Sequence, residues 1–286
     1  MKEIFLANPR GFCSGVSRAV SLVQDLIDKE IKNIYVWHEI VHNQTVVDGF
    51  TKQGVKFIHD IKDIPDGCTL VFSAHGVSSK FRKEVSSLNI TIVDATCHLV
   101  QNVHKTVLNL IETGYYLLYL GSKKHQEVVG VFEESPDNIT IIESILDINS
   151  VPLDKKKYAL ISQTTLNIKE IEEVSKALKI LIADINIDYA NACKSTELRQ
   201  IAVNELSKGV DVFYVVGSEN SSNAKRLYEI AKNNCQAFLI ENASYLNPKD
   251  LEKTKKIGIS AGASTPEFLV EELIKNITSI YECRLL

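Results

Sequence analysis

No two of the six cysteines in this 286-residue chain form a CxxC pair. The common structural zinc patterns, which bring their thiols together in such pairs, are thereby removed. No stretch reaches the ~18 consecutive apolar residues of a membrane span. The apolar run near the amino terminus, Ile4 to Ala7, is too short for a signal peptide, and no small-residue cleavage site follows it. A cytoplasmic chain is expected. In that reducing compartment its cysteines serve metal binding or catalysis sooner than disulfides. No block of like charge exceeds Lys155–Lys157, and the net charge is -4. Neither nucleic acid nor a membrane surface is expected as the main partner, although a local basic pocket stays open. Low-complexity segments and long Gly/Ser or Pro linkers are also missing, so any lobes are closely joined.

What the chain does have is an ordinary globular balance, 45% hydrophobic and 24% charged. A chain of this length buries roughly three-quarters of its unfolded surface and needs no disulfide for support. Short apolar runs read as buried strands at Ile4–Ala7, Ile34–Trp37, Leu70–Ser73, Thr91–Val93 and Tyr116–Leu120. Further runs are Tyr158–Ile161, Asp211–Val216, Ala237–Ile240 and Lys256–Ser260. Between them lie stretches of helical spacing, one carrying Val16, Ala19, Val20, Val23, Leu26 and Ile27, another Val100, Val103, Val107, Leu108 and Ile111. A weaker stripe joins Leu198, Ile201, Ala202 and Leu206. Strands alternating with helices predict an α/β architecture with mostly parallel sheets.

A weak repeat emerges around three cysteines. Cys13, Cys97 and Cys193 are 84 and 96 residues apart, and Ala with Asn, Asp or Thr shortly precedes each. The stretches are Leu6 to Cys13, Val93 to Cys97 and Asp188 to Cys193, each leading into an amphipathic helix. The natural reading is three similar small α/β lobes, 1–96, 97–192 and 193–286, each giving one cysteine from a loop before a helix. Unpaired N–H groups and the helix dipole favour a thiolate there, and iron–sulfur clusters prefer soft thiolate ligands. Three thiols are one short of a four-cysteine set, so in a four-iron cluster one iron lacks a protein thiolate and can take substrate. Spacing alone leaves open that these cysteines are small buried hydrophobes, which is the reading for Cys68, Cys235 and Cys283.

In parallel α/β folds ligands bind at the carboxyl ends of the strands. Those ends are followed here by His38 to Asn43, Ala74 to Ser78, Gly121 to Glu127, Ser162 to Thr165, Gly217 to Asn223 and Ala261 to Ser264. Small hydroxyl and amide side chains beside glycine at helix starts suit phosphate oxygens. His42, His75 and His125 recur at equivalent places and add donors or positive charge. Glu127 is the carboxylate of this set placed for proton transfer. Helix capping by Ser222, Asn223 or Ser264 is the plainer alternative, and His38, His59 and His104 read as surface or packing residues.

The run Ala7-Asn8-Pro9-Arg10-Gly11-Phe12-Cys13-Ser14-Gly15-Val16 resembles the amino-terminal signature of the 4-hydroxy-3-methylbut-2-enyl diphosphate reductase family. The similarity continues through His38-Glu39-Ile40-Val41-His42-Asn43, Ser73-Ala74-His75-Gly76-Val77-Ser78 and Asp94-Ala95-Thr96-Cys97. It resumes at Gln163-Thr164-Thr165-Leu166, at Val216 to Asn223 and at Ala261-Gly262-Ala263-Ser264, so it spans essentially the whole chain in order. The resemblance implies a trefoil-like, pseudo-threefold α/β fold around one central [4Fe-4S] cluster per chain, ligated by Cys13, Cys97 and Cys193. It further implies that His42, His75, His125, Ser221, Ser222, Asn223 and Ser264 hold the diphosphate. Glu127 would relay a proton, and Thr164 would bond near the substrate hydroxyl. The implied reaction is the two-electron, two-proton reductive dehydroxylation of (E)-4-hydroxy-3-methylbut-2-enyl diphosphate, giving isopentenyl and dimethylallyl diphosphates. This is the last step of non-mevalonate isoprenoid precursor synthesis, with a donor such as ferredoxin or flavodoxin.

The chain departs from the family pattern at His98 and Gln126, where the family has proline, and at Lys194 and Leu198 beside the third cysteine. Two rival readings are an iron–sulfur dehydratase and a non-catalytic cluster sensor. A dehydratase needs no electron donor, and a sensor needs neither Glu127 nor Thr164.

Overall fold

The computed structural model describes residues 1–187 and 193–286. Along the chain run strand β1 (Lys2–Leu6), helix α1 (Ser14–Asp28), β2 (Ile34–Trp37), α2 (Gln44–Lys52) and β3 (Lys56–Ile58). Next come β4 (Thr69–Phe72), α3 (Ser79–Ser86), β5 (Thr91–Asp94), α4 (His98–Glu112), β6 (Tyr116–Leu120) and α5 (Gln126–Phe132). They are followed by β7 (Ile139–Ile142), β8 (Tyr158–Ser162), α6 (Ile168–Leu181) and β9 (Asn186–Ile187). The last stretch holds α7 (Lys194–Ser207), β10 (Val212–Val216), α8 (Ser222–Lys232), β11 (Gln236–Ile240), β12 (Lys256–Ala261), α9 (Glu267–Ile280) and β13 (Cys283–Leu285).

Among the described residues the strands form three sheets, ordered β11-β10-β12-β1-β13, β3-β2-β4-β5 and β7-β6-β8-β9. Every pairing in them is parallel. The expected α/β class with three parallel-sheet lobes is therefore present. Two compact units divide the chain. One comprises Met1–Ser17, His42–Asp48 and Lys194–Leu286, the other Arg18–Val41 and Gly49–Cys193. The five-stranded sheet lies in the first unit and both four-stranded sheets lie in the second.

Strand β10 shows why the central strands form where they do. Its sequence, VFYVV, is buried at every position, as a strand covered on both faces must be. One face, through Val212, Tyr214 and Val216, packs with Ile4, Ile259, Leu269 and Leu273. The other, through Phe213 and Val215, packs with Val203, Ala224 and Leu227. In the second unit β6 plays the same part, with Leu118 and Leu120 in one cluster and Leu117 and Tyr119 in another.

Several expectations are corrected. The lobes are not contiguous segments starting at residue 1, because β1 pairs with β12 and β13 and so completes the carboxyl-terminal sheet. The physical reason is Ile4, which fills that sheet's core. Strands β3, β7, β9 and β13 went unread in the sequence. Each is an edge strand of two to four residues, and a half-exposed edge needs no continuous apolar run. The stripe on α7 is only half right. Leu198 and Ile201 are 43% and 45% exposed, while Thr196, Arg199, Gln200 and Val203 take the buried face. Asp188 to Ala192, which precede the third cysteine in the repeat, lie outside the described residues. No helix among the described residues is long and apolar enough to cross a membrane.

Candidate active site

In the first unit, the loop from β1 to α1 is laid onto the end of β12 and the residues after it. Ala7 N–H donates to Ile259 O at 2.9 Å, Gly11 N–H to Ala261 O at 3.3 Å, and Cys13 N–H to Ala263 O at 3.1 Å. Gly11 has φ +65°, and a Cβ there would meet Thr265 O at 3.3 Å, so only glycine turns the chain at this point. Cys13 then sits just before α1, its Sγ accepting from Val16 N–H at 3.5 Å.

The same unit carries the loop from β10 to α8. Gly217 packs so closely that a Cβ would lie 2.7 Å from Ala224 Cβ, which draws the strand end against the helix start. Ser221 caps α8 by accepting from Ala224 N–H at 3.3 Å. Ser264 Oγ donates to His42 O at 3.0 Å and lies 3.4 Å from Ser221 Oγ. Asn223 is 3% exposed, yet neither its Oδ1 nor its Nδ2 has a hydrogen-bond partner. A buried amide left open on both atoms is rare and calls for a ligand. Ser222 is the first residue of α8 and half-buried.

In the second unit Glu127 is 2% exposed. Its Oε1 accepts from Thr164 N–H at 2.8 Å and from Tyr119 O–H at 3.1 Å. Its Oε2 accepts from Thr164 Oγ1 at 2.7 Å. Burial raises the carboxyl above the usual range, outweighing the Thr164 and Tyr119 hydrogen bonds that favour the anion. Burial likewise pushes the Tyr119 phenol well up, helped by the neighbouring Glu127 charge. His125 caps α5, its Nδ1 accepting from Glu127 N–H at 3.2 Å. That bond puts the ring proton of a neutral His125 on Nε2. The His75 and His125 rings meet edge to face with centroids 5.6 Å apart, and Ser73 Oγ lies 3.4 Å from His75 Nδ1.

Cys97 is the residue before α4, and its N–H donates to Ala74 O at 3.0 Å, which ties it to the loop bearing His75. Cys193 precedes α7, and its N–H donates to Thr164 O at 3.3 Å. All three of these cysteines are partly exposed. At Cys68, Cys235 and Cys283 burial pushes each thiol up and so favours its protonated form. A sulfur donor just before a helix, as each of Cys13, Cys97 and Cys193 offers, is of the soft kind that iron–sulfur groups take. The plain reading of His104 also holds, because it is buried with Nδ1 2.6 Å from Glu134 Oε1. His38 and His59 face each other at the surface through Nδ1 atoms 2.9 Å apart.

Tyr119 was not singled out by sequence, because a tyrosine in an apolar strand reads as core and its hydroxyl partner is eight residues away. The LytB protein family model matches residues 4–278. The chain belongs to the LytB protein family. The 4-hydroxy-3-methylbut-2-enyl diphosphate reductase of Neisseria meningitidis is 41% identical over 96% of this chain and 87% of its own. That of Chlamydia abortus is 37% identical over 98% and 92%. The E-1-hydroxy-2-methyl-but-2-enyl-4-diphosphate reductase structure from Plasmodium falciparum superposes with TM-score 0.93 at 35% identity, covering 100% of this chain and 92% of that one. A solved (E)-4-hydroxy-3-methyl-but-2-enyl diphosphate reductase, the terminal enzyme of the non-mevalonate pathway, gives TM-score 0.71 at 31% identity, covering 98% of this chain and 100% of that one.

Proposed function

We propose that this chain is a cytoplasmic oxidoreductase that converts (E)-4-hydroxy-3-methylbut-2-enyl diphosphate, two electrons and two protons into isopentenyl or dimethylallyl diphosphate and water. The observation that carries the reading is the buried Glu127 carboxyl, held through both oxygens by Thr164 and through Oε1 also by Tyr119. Cys13, Cys97 and Cys193 are the proposed ligands of one [4Fe-4S] cluster. When bound, the cluster supplies the two electrons singly and an iron that lacks a protein thiolate. A small one-electron carrier such as ferredoxin or flavodoxin delivers those electrons.

The chain's own residues do the positioning and the proton work. Thr164 N–H and Tyr119 O–H both hold Oε1 as an acceptor, so the proton of the neutral carboxyl belongs on Oε2. In the neutral acid the Oε2–Oγ1 contact, through which Thr164 Oγ1 donates to the carboxylate at 2.7 Å, runs the other way. The threonine hydroxyl accepts that proton and donates its own to the departing hydroxyl oxygen, which leaves as water. The raised carboxyl keeps the donor protonated further toward neutral pH than an exposed glutamate would be. The diphosphate is assigned to His42, His75, His125, Ser221, Ser222, Asn223 and Ser264. Its binding energy, remote from the reacting carbon, orients the alcohol.

The test is an anaerobic assay of the reconstituted chain with the hydroxylated diphosphate and a chemical reductant. Reductant-dependent formation of the two products is expected, with roughly four iron per chain. Substituting Cys13, Cys97 or Cys193 by Ala is expected to lose iron, and substituting Cys68, Cys235 or Cys283 is not. Turnover that proceeds unchanged without any electron donor overturns the reductase reading.

A further inference from the structure

Helix α7 buries the wrong residue for an amphipathic helix. Arg199 is 3% exposed and permanently charged, and such a group is costly in a core unless its donors are met. Its Nη2 donates to Gly11 O at 2.7 Å, and its Nη1 donates to Ser195 O at 2.8 Å and also to Ser195 Oγ. Gly11 is two residues before Cys13, and Ser195 is two residues after Cys193. A second arginine repeats the pattern in the other unit. Arg18 Nη1 donates to Thr96 O and Nη2 to Asp94 O, both at 3.2 Å, and the Thr96 carbonyl belongs to the peptide that carries Cys97. The two guanidiniums therefore grip the backbone beside two of the three thiols, and one of them also grips the helix after the third.

Resting on the cluster reading above, we propose that Arg199 and Arg18 are positioning residues for the iron–sulfur group. They pin the cysteine loops through backbone carbonyls, and their charge sets the potential at which the cluster takes an electron. Three thiolates outweigh the charge of the cluster core, so the ligated group is anionic and becomes more so on reduction. A nearby cation stabilises the reduced form more than the oxidised one, which raises the midpoint potential. The effect is larger for the buried Arg199 than for the exposed Arg18, where water screens the charge.

The experiment uses the full chain reconstituted anaerobically, with iron and sulfide analysis, EPR-monitored reductive titration and thermal melts of the metal-free protein. Arg199→Gln keeps a neutral donor but removes the charge. It is expected to bind less iron and to shift the midpoint of its remaining cluster to more negative potential. Arg199→Lys keeps the charge but cannot span Gly11 and Ser195, so it is expected to lose iron while holding the wild-type midpoint. Arg18→Gln is expected to shift the midpoint in the same direction by less. Folded Arg199→Gln and Arg18→Gln proteins with wild-type iron and wild-type midpoints overturn the proposal. Equal midpoints in Arg199→Lys and Arg199→Gln overturn the role given to charge. If Arg199→Gln does not fold, the exposed Arg18→Gln decides alone. A wild-type chain that takes up no iron instead refutes the cluster reading, which separates the two failures.

Discussion

Helices α5 and α8 start in the same way and in opposite conditions. Each follows a buried central strand of a parallel sheet, and each is capped by a residue assigned to the site, His125 or Ser221. Just inside α5, the buried Glu127 has both oxygens met by donors. Just inside α8, the equally buried Asn223 has neither amide atom met. A saturated carboxyl is held at one geometry and has its proton affinity set by its surroundings. An open amide is a standing cost that a ligand removes. One helix start is thus built to hold a proton, the other to hold a molecule.

The largest expected effect separates these two jobs. Glu127→Gln keeps the shape and the Thr164 contact but has no proton to give, so kcat should fall about 10²–10⁴-fold. KM should change little, as expected when an interaction made only in the transition state is lost. Steady-state anaerobic kinetics check this, and a variant with unchanged kcat and raised KM breaks the comparison. Asn223→Ala should do the reverse. Hydrogen bonds to a charged group are worth ~1.5–3 kcal/mol, so KM should rise roughly 10–100-fold with kcat largely kept. Because no protein hydrogen bond is lost, the metal-free variant should melt at or above the wild-type temperature. A clear drop in that melt would show that the amide is structural.

The sequence makes both helix starts legible as polar clusters, but not the condition of the polar groups inside them. Ser221-Ser222-Asn223 and His125-Gln126-Glu127 are both visible as strand-end polar clusters, because such loops follow apolar runs as continuous as VFYVV and YLLYL. The saturation of Glu127 was not visible, since Tyr119 comes from the middle of β6 and Thr164 from the loop after β8, 37 residues on. The openness of Asn223 is a missing partner, and no local pattern records that. Arg199 misled for a related reason. Periodicity assigns Leu198 and Ile201 to the core, but the carbonyl of Gly11, 188 residues away, pulls the arginine inward instead. Pairing of β1 with β12 is likewise a contact between chain ends, beyond any window of local spacing.

A smaller effect sharpens the α5 half through stability. Glu127 has a raised carboxyl in the folded state. Its contribution to stability is therefore full below the unfolded carboxylate value, about 4.3, and is lost as pH rises through the folded value. The metal-free wild type should thus lose stability as pH rises from the ordinary carboxylate range through the raised Glu127 value, by more than Glu127→Gln does. Parallel melts across that range check it, and identical pH dependence of the two proteins would show that Glu127 is not held neutral.

The smallest expected effect tests the donors one at a time. Tyr119 O–H favours the ionised Glu127 by donating to Oε1. Removing it in Tyr119→Phe should raise the carboxyl further, because burial is then opposed by the two Thr164 hydrogen bonds without the phenol. The protonated form is the active one, so kcat declines as pH rises through the Glu127 value, and this alkaline limb should move to higher pH. A neutral hydrogen bond worth ~1 kcal/mol corresponds to a shift of under about one pH unit. The Asn223→Ala limb should not move, because that amide makes no bond to the carboxyl. If both variants shift the limb equally, the two helix starts are not divided between proton and ligand, and the contrast between a saturated and an open polar group loses its functional meaning.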